Sequence, residues 1–243
     1  MNRILVDKDI NELVNAVDDK MILDIKNDIN LKLDKNEYET YVFNIYESNV
    51  NVYVEFDKVK CVKFIINAYS SNVSFNTFLK NPSMVNMDIN LKNKNAEVVV
   101  HNTTLSSKDS KYDIMVNHDF KDTKSFIYNN GITKEEGSIM YDVKSFVKKG
   151  KTNCVVNQDS KIVALNKNNK NKINPVLLID EYTTEAKHAA FVGDFNNNEL
   201  FYLQSRGLTK KEAQNLLING LLIGTLDISS LEKEMLKDKI NEF

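Results

Sequence analysis

Between Tyr38 and Asn117 the chain offers one short extended segment after another and no stretch with helical periodicity. Tyr41-Val42-Phe43-Asn44-Ile45-Tyr46 is followed by Val50 to Phe56, Cys61 to Ala68, Asn72 to Phe78, Val85 to Leu91, Ala96 to His101 and Lys111 to Val116. Each alternates apolar with polar residues or is β-branched, and each is bounded by Asn, Asp, Ser or Lys. Such spacing confines the chain to a sandwich, a barrel or a β-solenoid. The connections favour the solenoid. Two-residue hairpins call for Asn-Gly or Asp-Gly, yet Asn130-Gly131 is the sole such pair in the strand-rich part, and all seven glycines lie from Gly131 onward. The earlier turns therefore rely on Asn and Asp, which tolerate left-handed backbone better than other non-glycine residues. Asn at the corner of one rung can also ladder with Asn on the next. The expectation is a mainly β chain wound into stacked rungs, with a β-sandwich as the alternative.

Strands continue through Ser125 to Tyr128, Ser138 to Val143, Asn153 to Asn157 and Lys161 to Leu165. Residues Asn166 to Asn174 form a polar, low-complexity loop, and Pro175 restarts an extended run, Val176 to Ile179. After Gly193 the period becomes helical. Asn197 or Asn198 is placed to cap a helix over Glu199 to Arg206, and Gly207 stops it. Thr209 and Glu212 spell a capping box, with Ala213, Leu216, Leu217, Gly220 and Leu221 as the apolar stripe behind it. Ser229 to Glu232 repeats the box, and Leu231, Met235 and Leu236 begin a third stripe. Ahead of the body, Ile10, Leu13, Val14 and Val17 suggest a helix over Asp7 to Val17, and Met21 to Leu33 alternates like strands. The chain thus divides into a short N-terminal region (1–36), a β body (37–193) and a C-terminal helical segment (194–243).

A net charge of −2 argues against a general nucleic-acid surface. The two cysteines, Cys61 and Cys154, spell neither a disulfide framework nor a zinc site. The first residues hold no apolar core of signal-peptide length, and no apolar run matches a membrane span, so a cytoplasmic chain is expected. No Gly-rich phosphate loop or nucleophile elbow occurs, so the chain is expected to be neither an ATPase nor a hydrolase of that kind.

One stretch is specific enough to resemble a family. It runs Pro175, the strand Val176 to Ile179, Asp180-Glu181, Ala186-Lys187-His188-Ala189-Ala190, Val192-Gly193, Leu200-Phe201-Tyr202-Leu203 and Ser205-Arg206-Gly207. Upstream, Val116-Asn117-His118 is followed by Thr123-Lys124-Ser125. Together these resemble the SufB/SufD family, scaffold proteins of the Suf iron–sulfur cluster assembly system. The resemblance covers His118 to the end and is architectural before that. It implies a right-handed parallel β-helix followed by a C-terminal helical segment that docks the ABC-type ATPase SufC. It also implies pairing with a SufB-like chain or a second copy, with a nascent cluster at or near their interface. Asn157-Gln158-Asp159-Ser160 lacks the cysteine that the SufB branch carries in its comparable segment, and Lys187-His188-Ala189-Ala190 is closer to the SufD branch.

Within that resemblance His188 is the candidate cluster ligand, since neutral imidazole can ligate iron although soft cluster iron prefers thiolate. Cys154 is a weaker candidate, because its place in an alternating strand turns it inward. His118 and His101 read as structural hydrogen-bond partners. Leu200, Phe201, Tyr202, Leu203, Arg206, Leu216 and Leu217 form the candidate SufC-docking surface, because four large apolar residues in a row wrap more than one face of a helix. No tightly bound cofactor is expected in the isolated chain, only a transient cluster in the complex. Two alternatives stand beside the scaffold reading. One is a carbohydrate-active β-helix enzyme using Asp180, Glu181 and Glu185; the other is a structural solenoid that binds no iron.

Overall fold

The computed structural model describes residues 3–6, 19–57 and 59–241. The helix expected over Asp7 to Val17 lies outside the described residues. Along the described chain run β1 (Arg3–Val6), β2 (Lys20–Ile25), β3 (Ile29–Leu33), β4 (Thr40–Tyr46), β5 (Asn49–Phe56), β6 (Cys61–Tyr69), β7 (Asn72–Lys80), β8 (Met84–Leu91), β9 (Glu97–Ser106), β10 (Asp109–His118), β11 (Lys124–Thr133), β12 (Ser138–Val147), β13 (Val155–Ala164), β14 (Lys172–Ile179) and β15 (Glu185–Gly193). Three helices follow, α1 (Asn197–Ser205), α2 (Lys210–Ile223) and α3 (Ser230–Asn241).

From β2 onward the strands alternate between two sheets. One has the order β1-β2-β4-β6-β8-β10-β12-β14 and the other β15-β13-β11-β9-β7-β5-β3. Every pairing is parallel and in register, as in Thr40 with Lys63 or Asn72 with Glu97. This is a parallel β-helix, and the sandwich alternative, built on antiparallel pairs, is excluded. The coils lengthen along the chain. Ile29 pairs with Val50, Val73 with Val98 and Ser125 with Val156, separations of 21, 25 and 31 residues.

The corners behave as the sequence required. Positive φ falls at Glu47, Ser70, Asn81, Asn95, Asp122, Glu135 and Asn153, each between two strands. Four of these are Asn or Asp. On the outer face of the first sheet Asp24, Asn44, Asn67, Asn90 and Asn117 form a ladder, each amide donating to the residue one rung back at 2.8–3.0 Å. Bonds between rungs turn an isolated amide into a chain of mutually satisfied groups.

Inside the coil, alternate residues of both sheets meet. The early rungs are filled by Tyr41, Phe43, Phe56, Phe64 and Phe75, with tilted or edge-on ring contacts about 5–6 Å apart. Polar residues also enter the lumen. Thr77 donates to Asn102, Asn102 to Asn129 and Asn129 to Ser160, so one buried track climbs four rungs. β9 runs on to Ser106, past the His101 where its sequence reads as a strand end, because Asn102, Thr104 and Ser106 each find a polar partner inside the coil.

The helices lie against the outer face of the second sheet. Tyr53, Phe78, Leu105, Ile132 and Val163 pack there with Ile218, Leu222, Ile223, Leu226, Leu236 and Ile240. Thr103 Oγ1 donates to Leu222 O at 3.0 Å and Asn51 Nδ2 to Asp227 O at 2.9 Å. Both capping boxes form, at Thr209/Glu212 and Ser229/Glu232. The stripes differ from expectation. In α2 the buried residues are Ala213, Ile218, Leu222 and Ile223, and in α3 they are Leu236 and Ile240, with Leu231 and Met235 exposed. The runs Leu216-Leu217-Ile218 and Leu221-Leu222-Ile223 present two apolar stripes one residue apart, and the groove on the sheet selects the second. The cap of α1 is Asn196, whose side chain accepts the Asn198 amide at 2.9 Å, not Asn197 or Asn198.

Candidate functional site

Strands β14 and β15 form the last turn of the coil and stand at the edges of their two sheets. The residues of β15 are exposed from Glu185 to Val192, on both faces of the strand. Register tells which face is the lumen. Val156, Gln158, Ser160 and Ile162 of β13 are buried, and they pair with Ala186, His188, Ala190 and Val192. On the other side Tyr141, Val143, Ser145 and Val147 pair with Ile173, Pro175, Leu177 and Ile179. The open end of the solenoid is therefore an apolar rim interrupted by one imidazole.

His188 thus lies on a strand, β15. Lys187 and His188, adjacent in sequence, project to opposite faces. Phe191 faces outward with Lys187, and Lys161 sits over its ring at 5.3 Å. Directly below His188 in register is Gln158, 1% exposed. Its Nε2 reaches across the lumen to Ser145 Oγ at 2.8 Å and to Val176 O at 3.3 Å.

Cys154 is buried at a corner below this end. Its sulfur meets Lys151 O at 3.2 Å and Thr123 Oγ1 at 3.3 Å. His118 is buried in the same corner, with Nδ1 2.8 Å from Thr123 Oγ1 and Nε2 2.9 Å from Ser125 Oγ. Thr123 gives its single hydroxyl proton to Phe120 O at 2.9 Å. So Nδ1 of His118 carries the ring proton and donates it to Thr123, and Ser125 donates to Nε2. Burial pushes this imidazole's pKa down to about 4. The sequence pattern His118…Thr123-x-Ser125 is thereby explained as a closed hydrogen-bond set. His101, the other strand histidine, stacks on Tyr128 at 4.9 Å, and burial lowers its pKa too.

Among the described residues no group of three or more His, Cys, Asp or Glu side chains converges as a metal site. Cys154 is buried just ahead of β13, whereas His188 is exposed on β15 in register with Gln158. Of the three carboxylates considered for glycoside chemistry, Glu181 is buried in its own turn, accepting the Gly150 amide at 2.9 Å and Thr183 Oγ1 at 3.1 Å. The Gly150 N–H holds its pKa below the usual glutamate value. Asp180 and Glu185 are exposed.

At the helical tail α1 buries no residue. Phe201 is 72% exposed, Tyr202 56% and Leu216 of α2 52%. Leu200, Leu203 and Leu217 are half-buried, and the Arg206 guanidinium lies 5.1 Å from the centre of the Tyr202 ring. The surface named from sequence is thus largely solvent-facing. What sequence reading missed is Gln158 and Ser145, whose strand parity alone turns them into the lumen.

Coil, open last rung and a helical clamp on one sheet define a parallel β-solenoid. The family model for the SUF system FeS cluster assembly SufBD core domain matches residues 59–221, and the chain belongs to that family. It is also similar to the iron-sulfur cluster assembly protein SufD of Bacillus subtilis (strain 168), 32% identical over 121 residues. That match covers 49% of this chain and 28% of the relative. No helix among the described residues is long and apolar enough to cross a membrane.

Proposed function

We propose that this chain is a non-enzymatic scaffold subunit of a Suf-type iron–sulfur cluster assembly complex. In this reading the open end of its solenoid pairs with a SufB-like chain or a second copy of itself, and α1 with the start of α2 docks a SufC-type ATPase. The observation that carries the reading is β15. A nine-residue edge strand exposed on both faces, bearing Phe191 and Val192, is a liability unless another chain covers it. The nascent cluster is cargo on this reading, and His188 supplies one ligand at most. With no converging set among the described residues, the remaining ligands come from the partner, and thiolates are the ligands cluster iron prefers.

Three measurements test it. Light scattering on the full chain, alone and with a SufB-like protein, is expected to show a pair. Ala190→Pro, which puts a ring on the exposed edge, is expected to weaken that pair. Co-purification with a SufC-type ATPase is expected to fail for Phe201→Glu, and undiminished capture would remove the docking claim. Anaerobic reconstitution of the complex with iron and sulfide is expected to give less visible absorbance for His188→Ala. Equal absorbance would dismiss His188 as a ligand.

A further inference from the structure

The amide of Gln158 is built into the last two rungs with one atom left over. Its Nε2 is held by Ser145 of β12 and by the carbonyl of Val176 in β14. That carbonyl can only accept, so the nitrogen must face it and the amide cannot be the other way round. Oε1 is then sealed from solvent and has no hydrogen-bond partner among the described residues. Leaving a buried carbonyl unpaired is costly, and each such atom in a folded chain calls for an explanation. The flanking inward hydroxyls do not satisfy it. Ser125 is engaged with His118, and Ser160 receives the Asn129 amide. The rung below offers Ile127, which has no polar atom. The rung above offers His188, paired to Gln158 in strict register about 4.8 Å away along the sheet. Its ring is exposed.

We propose that Gln158 is a positioning residue for His188: its orphan carbonyl takes one ring N–H and turns the other ring nitrogen, as a bare lone pair, out of the open end. The idea rests on the reading of His188 as a ligand and specifies how that ligand is prepared. A metal-binding imidazole needs its second nitrogen held by an acceptor, which fixes the tautomer and the direction of the lone pair. Gln158 is the acceptor this chain supplies, and the Ser145 and Val176 bonds aim it.

The test is made without iron. Nitrogen-15 NMR of ring-labelled full-length chain at neutral to mildly alkaline pH reads the tautomer of His188, assigned by its loss in His188→Ala. In wild type one tautomer is expected to dominate. In Gln158→Met, which keeps the volume and removes the acceptor, the ratio is expected to fall about fivefold, the factor that one net hydrogen bond supplies. If Gln158→Met does not fold, Ser145→Ala, which removes the shorter of the two bonds that aim the amide, is expected to relax the bias in the same direction. A wild-type ring with no preferred tautomer, or a preference that survives Gln158→Met, overturns the proposal. The ligand reading fails separately: if wild type and His188→Ala support cluster formation equally, that reading falls while the tautomer result stands.

Discussion

Replacing His118 with glutamine isolates what one buried imidazole contributes to the upper coil. In the native corner the ring is neutral. Nδ1 donates to Thr123 and Nε2 accepts from Ser125, so each nitrogen has its partner. A second ring proton would turn Ser125 from donor to acceptor and leave its own hydrogen without a place. Burial, the larger influence, lowers the folded pKa to about 4, against a smaller pull upward from the Asp119 carboxylate. An unfolded histidine titrates at 6.5. Because the folded value is depressed, the fold prefers the uncharged ring. That stability is fully present above pH 6.5 and is lost as pH falls from 6.5 to 4. At about 1.4 kcal/mol per pH unit the loss is about 3 kcal/mol. Urea unfolding of wild type and His118→Gln at pH 7.5 and pH 4 measures it. Wild type is expected to lose about 3 kcal/mol more than the variant over that interval. Whatever glutamine costs in fit is present at both pH values and cancels in the difference. Carboxylates with lowered pKa, such as Glu181 and Asp122, titrate in both proteins and cancel as well. A difference below about 1 kcal/mol would refute the neutral-ring reasoning.

Other substitutions probe other parts of the fold. At Gly137 an added Cβ would sit 2.6 Å from Ser107 C and 2.8 Å from Lys108 N and Ser106 O, all backbone. Gly137→Ala is therefore expected to destabilise by about 1–3 kcal/mol, read as a lower urea midpoint. Lys239 of α3 is clasped by Glu55 and Asp57, and Glu55, nearly buried, also accepts from Tyr53 OH at 3.0 Å. Lys239→Met leaves Glu55 with only the longer Lys32 contact, at 3.5 Å. About 1–2 kcal/mol of helix docking should go, seen as faster amide exchange in α3 with the inner strands unchanged. In the asparagine ladder Asn67→Ala breaks two bonds, of 2.8 and 2.9 Å, whereas Asn117→Ala breaks one. The first is expected to cost about 1–2 kcal/mol and the second about half that, and equal effects would speak against the ladder as a stabilising device.

The coil was legible in the sequence because its signals are local. Alternation marked β4 to β8 almost to the residue, and the scarcity of hairpin glycines, with Asn81, Asn95, Asp122 and Asn153 in their place, marked corners instead of hairpins. Both capping boxes, at Thr209 and Ser229, were legible for the same reason. What stayed hidden depends on contacts between rungs. The end of β9 is Asn102, Thr103, Thr104 and Ser106, a run that looks like a loop until its partners on other rungs are known. Residues 155–164 read as two strands, split at Gln158-Asp159-Ser160, because a buried Gln and Ser look like a break. The α2 stripe needed the shape of the sheet beneath it. For the candidate site, motif likeness singled out His188, but its place on an open rim and the amide below it required the register of β13 against β15. The lengthening coil explains why no repeat is visible: a period that drifts from 21 to 31 residues leaves no fixed spacing to align.

That drift has a direction, and the contents of the lumen follow it. The short early coils are closed over aromatic and aliphatic side chains, from Tyr41 and Phe43 to Phe64 and Phe75. Near the middle Tyr112 and Tyr141 share the Thr104 hydroxyl. The last long coils hold His118, Thr123, Ser125, Ser145, Gln158 and Ser160, all buried. An apolar filling gains free energy by leaving water, with little demand on geometry. A polar filling is stable only when every group finds its partner, so it fixes position more than it adds stability. The early rungs thus act as the stable base, and the late rungs hold the open end in a defined geometry. The gradient predicts the order of loss on heating: backbone amides of β12 and β13 should exchange before those of β4 to β7, and the reverse order would contradict it.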